Sequence, residues 1–160
     1  MLAQFKAMIV SMFMAVNIGT TQPAINIDKV DDIKEVACLS QAVHGEAAAE
    51  SMEGKIAVAH VIINRTKSNS FPSNSLCGVI QQKGQFKFRP RWINEHKPAE
   101  RKQMEDSIKA SIIAIDSPND PTHGSLYFVN PLWADQSWLR GFKRTVKIGG
   151  HVFYKNRRDM

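Results

Sequence analysis

The sequence predicts an α+β domain, mostly helical, with a short antiparallel β-sheet closed by a hairpin. Three observations carry this. Two neighbouring segments, about Asp31 to Ala47 and Met52 to Lys67, have helical spacing; the first is amphipathic and the second almost wholly apolar. A third stripe, Met104, Ile108, Ile112 and Ile115, follows Pro98 and stops at Ser117-Pro118. Near the C-terminus, Thr145 to Ile148 and His151 to Tyr154 flank Gly149-Gly150, two short runs across a two-residue glycine turn.

At 160 residues the chain makes one domain with a real core. Its 43% hydrophobic and 22% charged content is that of a soluble globular protein. The net charge of +6 suits a polyanionic partner, whether nucleic acid, anionic lipid or a bacterial envelope polymer, and does not choose among them. The basic KNRRD cluster at the end reads as a solvated tail.

Residues 1–24 are set apart. Lys6 precedes AMIVSMFMAVNI, residues 7–18, which is too short for a span of roughly 20 residues and fits a secretory h-region. Cleaved secretion, an uncleaved weak anchor and an ordinary N-terminal helix are all open; export is the expectation. Residues 1–27 are therefore assigned as signal peptide or weak membrane anchor, with transient membrane association through residues 7–18, and residues 28–160 as the functional domain.

In the first helix, Asp32 and Glu35 can form a cap and its N3 partner. Val36, Leu39, Val43 and Glu46 follow one another at spacings of three, four and three, so they share a face. Glu46 continues an apolar stripe, where partial burial favours a protonated carboxyl. A glutamate fraying into solvent at a helix end is the alternative. Gly45 leaves room for close approach. Ser51 caps the second helix, with Glu53 in its first turn, and Glu50 reads as a solvated loop residue. Within that buried helix His60, Asn64 and Arg65 need partners. His60 reads as a satisfied core histidine, and Asn64 or Arg65 as a brace for the loop carrying Glu46.

A loop with Phe71-Pro72 leads to a short helix, Ser75 to Gln81, and then to Lys83-Gly84-Gln85-Phe86. The Gln85 amide both donates and accepts, as a sugar ligand must, and Phe86 offers a ring face to pyranose C–H groups. Phe88 to Lys97 is an aromatic and basic loop. Ser125 to Val129 is a strand ended by Asn130-Pro131.

Of the two cysteines, Cys38 lies in a helical region where a free buried thiol is common, and the reading favours no Cys38–Cys77 bridge. No C-x-x-C pair, phosphate loop, H-E-x-x-H or G-x-S-x-G occurs. His44-Gly45-Glu46 lacks the P-C-x-x-C that zinc deamination requires, so neither a metal nor a cofactor is expected.

The blocks HGEA, EGKIAVAHVIINR, FPSNSLCGVI, KGQF, HGSLYFVNP and IGGHVFY, in that order between Ile33 and Tyr154, resemble those of the SleB-type, spore-cortex-lytic cell wall hydrolases. The resemblance implies a small lysozyme-like catalytic domain acting on peptidoglycan glycan strands, with Glu46 as catalytic acid. It implies cleft positions for Gln85, Phe86, Tyr127, Asn130 and His151. The Arg-Gly that usually follows GEA is Ala48-Ala49 here. Phage lysis enzymes with a releasable N-terminal anchor have the same layout.

Most glycosidases use two carboxylates. Asp116, Asp120 and Asp135 all fall in loops or at helix ends, so the expected reaction is that of a lytic transglycosylase with one acid and a 1,6-anhydro product. The alternatives are a hydrolytic muramidase with an Asp partner, and a non-catalytic basic module binding envelope or nucleic acid. The expected state is a monomer with no nucleic-acid partner.

Overall fold

The computed structural model describes residues 33–86 and 97–157. The expected leader or anchor over 1–27, the Asp31-Asp32 cap and most of the Phe88–Lys97 loop lie outside them. The elements are α1 (Ile33–Ala47), α2 (Met52–Thr66), α3 (Leu76–Gln81), α4 (Pro98–Asp116), β1 (Tyr127–Val129), a 3₁₀ turn (Ser137–Leu139), β2 (Phe142–Ile148) and β3 (His151–Asn156). The architecture is α+β and mostly helical, as expected.

Helix boundaries follow local chemistry. The Ser51 hydroxyl accepts the Gly54 N–H (3.2 Å) and the Ser75 hydroxyl accepts the Gly78 N–H (3.1 Å), each closing a first turn. Pro98 sits at the start of α4, where a missing N–H costs nothing. Glu35 reaches beyond its own helix. Its carboxylate crosses to the N-terminus of α3, accepting from the backbone N–H groups of Leu76 and Cys77 (3.2 Å for the latter), where the helix dipole favours negative charge.

The apolar stripe of α1 is buried as its spacing dictates: Val36, Leu39 and Val43 join Val58, Ile62, Val79 and Phe153 in the core. Both α1 and α2 pack against α4. The sheet has order β1-β3-β2, antiparallel at both interfaces. β1 and β2 therefore run parallel, with β3 between them, and residues 130–141 cross over one face to join them. β2 begins at Phe142, ahead of the expected Thr145. An irregularity between Arg144 and Lys147 breaks the alternation that would have revealed it.

Cys38 and Cys77 are joined by a disulfide, contrary to the sequence expectation. The α1–α3 packing, with Glu35 docked on α3, brings their Cα atoms to 5.3 Å. Helical burial of Cys38 left the partner invisible from sequence alone.

His60 is buried on α2, with Nδ1 4.0 Å from the Asp120 carboxylate. Burial lowers its pKa below 6.5, opposed by Asp120. Asp120 ties the turn after α4 by accepting from Thr122 N–H (2.8 Å), Gly124 N–H (2.6 Å) and the Asn64 amide (2.8 Å). Asn64 thus braces the approach to β1 and not the Glu46 loop.

Two predictions follow from this frame. Replacing both cysteines with serine should destabilise the domain by about 3–4 kcal/mol in denaturant unfolding, the loop-closure value for a bridge of this separation. Because folding depresses the His60 pKa, the unfolded chain takes up the proton first. Stability is therefore complete above pH 6.5 and drains as pH falls below it. The melting temperature should fall between about pH 7 and about pH 5, and His60→Gln should flatten that fall.

Candidate active site

The site is built around a buried guanidinium. Arg65 occupies the last turn of α2 and is 5% exposed. Its Nε donates to the Leu126 carbonyl oxygen (2.8 Å), just before β1, and one terminal nitrogen donates to Gln85 Oε1 (3.3 Å). Three rings surround it, with centroids 4.8 Å (Phe71), 4.9 Å (Phe86) and 5.7 Å (Tyr127) from Cζ. Burial lowers its pKa to about 10, and the nearby Tyr127 and Glu46 act in the opposite direction, sustaining its charge.

Glu46 lies in the last turn of α1, half-buried, one step beyond the stripe that enters the core. It is close enough to Arg65 for the two charges to attract. Four of the six residues singled out from sequence, Glu46, Gln85, Phe86 and Tyr127, thus converge on Arg65. Gln85 is exposed, Phe86 half-buried against the core, and Tyr127 half-buried. Tyr127 extends the wall outward through edge contacts with Phe142 (4.8 Å) and Trp138 (6.1 Å). Trp138 is 47% exposed.

Asn130 and His151 gather elsewhere, at the turn between β2 and β3. His151 is buried, edge-on to Phe128 (5.1 Å) and near Phe153 (6.3 Å), so it stands behind the surface. Burial lowers its pKa, opposed by Glu50, whose carboxylate is 3.8 Å from Nδ1. The Asn130 side chain accepts the Leu132 N–H (3.0 Å), and its carbonyl accepts from Trp133 and Ala134 (both 3.1 Å), fixing the start of the crossover.

Glu50, read from sequence as a solvated loop residue, is half-buried and tethers the α1–α2 link to the hairpin. Its Oε2 accepts the Gly150 N–H (3.1 Å). A Cβ on Gly149, where φ is +56°, would lie 2.1 Å from that oxygen, and one on Gly150 would lie 2.7 Å from Oε1. The paired glycines are therefore required by close approach as well as by the turn. Lys55 donates to the carbonyls of Ala48 (2.9 Å) and Glu50, bracing the same link from inside.

The tether on Glu50 and the central role of Arg65 and Phe71 were not legible beforehand. A cation inside an apolar helix was the available signal for Arg65. Of the loop aspartates, Asp120 is committed to its turn, and Asp135 to the Ser137 N–H (2.9 Å) and hydroxyl.

Comparison with known proteins places this geometry. A family model described as Cell Wall Hydrolase matches residues 49–154, which takes in Arg65, Gln85 and Tyr127 and begins just after Glu46. The spore cortex-lytic enzyme of Bacillus subtilis is 36% identical over 121 residues, covering 74% of this chain and 37% of that protein. The spore cortex-lytic enzyme of Oceanobacillus iheyensis is 33% identical over 135 residues, covering 83% of this chain and 46% of that one. The chain thus spans less than half the length of these relatives. The crystal structure of the Bacillus cereus SleB catalytic domain superposes with a TM-score of 0.62 at 33% identity, covering 78% of this chain and 91% of that one. The catalytic domain of the germination-specific lytic transglycosylase SleB from Bacillus anthracis gives 0.59 at 32% identity, covering 88% and 100%. Matched over residues 49–154 and superposing on these catalytic domains, the chain belongs to the cell wall hydrolase family.

Proposed function

We propose that this chain cleaves the bond between N-acetylmuramic acid and N-acetylglucosamine in peptidoglycan as a lytic transglycosylase, with Glu46 as its acid. The observation that carries this reading is the convergence of Glu46, Gln85, Phe86 and Tyr127 around the Arg65 guanidinium. A proton donor, an amide able to bind hydroxyls and two aromatic walls are what an uncharged saccharide needs. The name of the Bacillus anthracis structural relative supports the reaction type.

In this mechanism the Glu46 carboxyl gives its proton to the glycosidic oxygen as the bond to muramyl C1 breaks, and the N-acetylglucosamine leaves with a free hydroxyl. The muramyl C6 hydroxyl then attacks C1, and its proton passes to the Glu46 carboxylate. A 1,6-anhydro ring closes, no water is consumed, and the acid is regenerated. The engagement of Glu50, Asp120 and Asp135 elsewhere supports a single-carboxylate reaction. Arg65 acts as a positioning residue, holding Gln85, the start of β1 and the Glu46 charge in one arrangement. Asn130 and His151 are assigned to supporting the wall from the hairpin side. The Cys38–Cys77 bridge supports action outside the reducing cytoplasm, with residues 1–27 as the exporting or anchoring segment.

Mass spectrometry of digested peptidoglycan should find anhydromuramyl ends; hydrated reducing ends would instead identify a muramidase. Glu46→Gln should lower turnover by about 10²- to 10⁴-fold while wall binding persists. A Glu46→Gln protein that clears walls as fast as the wild type would overturn the assignment of the acid. Arg65→Lys keeps a charge but loses the fork. It should cost about 1–3 kcal/mol of stability by leaving the Leu126 carbonyl unpaired. It should also lower kcat more than it raises KM, which simple loss of stability would not do.

A further inference from the structure

β2 is the exposed edge of the sheet and is strongly basic. Lys143, Arg144 and Lys147 are all solvent-exposed, and among the described residues none of them is in an ion pair. Lysines often blunt edge strands against unwanted pairing, and that accounts for cations on either face. It does not account for where two of these lie. Tyr127 pairs with Tyr154, and Tyr154 with Arg144, so the three side chains share one face of the sheet. Val129, Val152 and Lys147 form the next row on that same face. Lys143 pairs with Lys155 and points to the opposite face.

The shared face is the one crossed by residues 130–141, whose Trp138 packs on both Tyr127 and Phe142. Arg144 therefore stands two strands from Tyr127, about 10 Å away, on the continuation of the cleft wall. A glycan lying against Tyr127 presents its muramyl lactyl group and peptide stem beside the sugar plane. That stem carries carboxylates and is the only anionic part of the strand.

We propose that Arg144 and Lys147 form a cationic subsite that binds the stem carboxylates of peptide-substituted peptidoglycan. The inference rests on the cleavage reading above and adds a substrate preference to it: strands with ionised stems over strands whose stem carboxylates are capped. The guanidinium of Arg144 offers the paired donors that match a carboxylate. Among the described residues it has no carboxylate partner to displace before meeting the substrate.

The test measures binding of the Glu46→Gln protein to insoluble peptidoglycan, either intact or with its stem carboxylates capped as neutral amides by carbodiimide coupling. The expected result is that Arg144→Ala with Lys147→Ala weakens binding to intact wall roughly tenfold and leaves binding to capped wall unchanged. Lys143→Ala, which removes one positive charge from the other face, should alter neither by more than about twofold. Equal losses on both walls, or an equal loss for Lys143→Ala, would overturn the subsite in favour of general charge attraction. Loss of binding to phosphatidylglycerol vesicles without loss on intact wall would overturn it in favour of a membrane surface, which the exposed Leu132 and Trp133 on the crossover would also suit. Since the protein used cannot cut, these outcomes are independent of whether the wild type releases anhydro ends.

Discussion

A guanidinium with 5% of its surface in water is held in place only if its environment replaces the solvent it lost. Around Arg65 that replacement comes from a carbonyl, an amide, three aromatic faces and the charge of Glu46. These come from four parts of the chain: the end of α1, the loop before α3, the turn after it, and the start of β1. One side chain therefore sets the relative positions of the acid and the walls beside it. Satisfying Arg65 requires these parts to come together around it.

A second polar tether fixes the other side of the acid. Glu50 follows Glu46 by one helical turn, but its carboxylate reaches the Gly149-Gly150 turn of the sheet. The link between α1 and α2 is thus pinned at its outer end by Glu50 and at its inner end by Lys55. The residues 48–50 that connect the helices have little freedom left. For the proposed acid that restriction matters, because misplacement of a reacting group by an ångström lowers rates steeply. It also explains why two carboxylates so close in sequence do different things. Glu46 remains at the cleft, and Glu50 is consumed by backbone N–H and imidazole contacts.

The sequence made the helices legible because their period was long and their caps were ordinary: Ser51, Ser75 and Pro98 mark boundaries in the structure as they do in the text of the chain. It made Glu46 legible because a carboxylate continued a stripe whose earlier members, Val36, Leu39 and Val43, could only face inward. What stayed hidden was long-range. Glu35 read only as a local cap partner and also reaches the start of α3; Cys38 looked like a lone buried thiol and is bridged; Glu50 looked solvated and is a tether. Each is a local motif whose partner lies tens of residues away, and local periodicity holds no information about that partner. The aromatic signal failed differently. Tyr127 and His151 looked alike as candidates near the hairpin, and only strand register separates the one that lines the cleft from the one buried behind Phe128. Resemblance to a known family supplied the cleft residues as a set, but not which of them share a wall.

The sheet shows why so small a β-element suffices. Its three strands give one face, centred on Phe153, to the core that α1 and α2 build. The other face is covered in part by the crossover from β1 to β2, and what it leaves open runs from Tyr127 through Tyr154 to Arg144. The core face anchors the sheet; on the outward face Val129 and Val152 are buried as well, and the exposed positions are those of Arg144 and Lys147 at the edge strand. Moving along that outward face, the surface changes from aromatic beside the acid to cationic at the edge strand. A polymer that is neutral along its sugar backbone and anionic in its branches has the same polarity across its width. Under the proposed subsite, matching the two profiles would set which edge of the strand points toward β2.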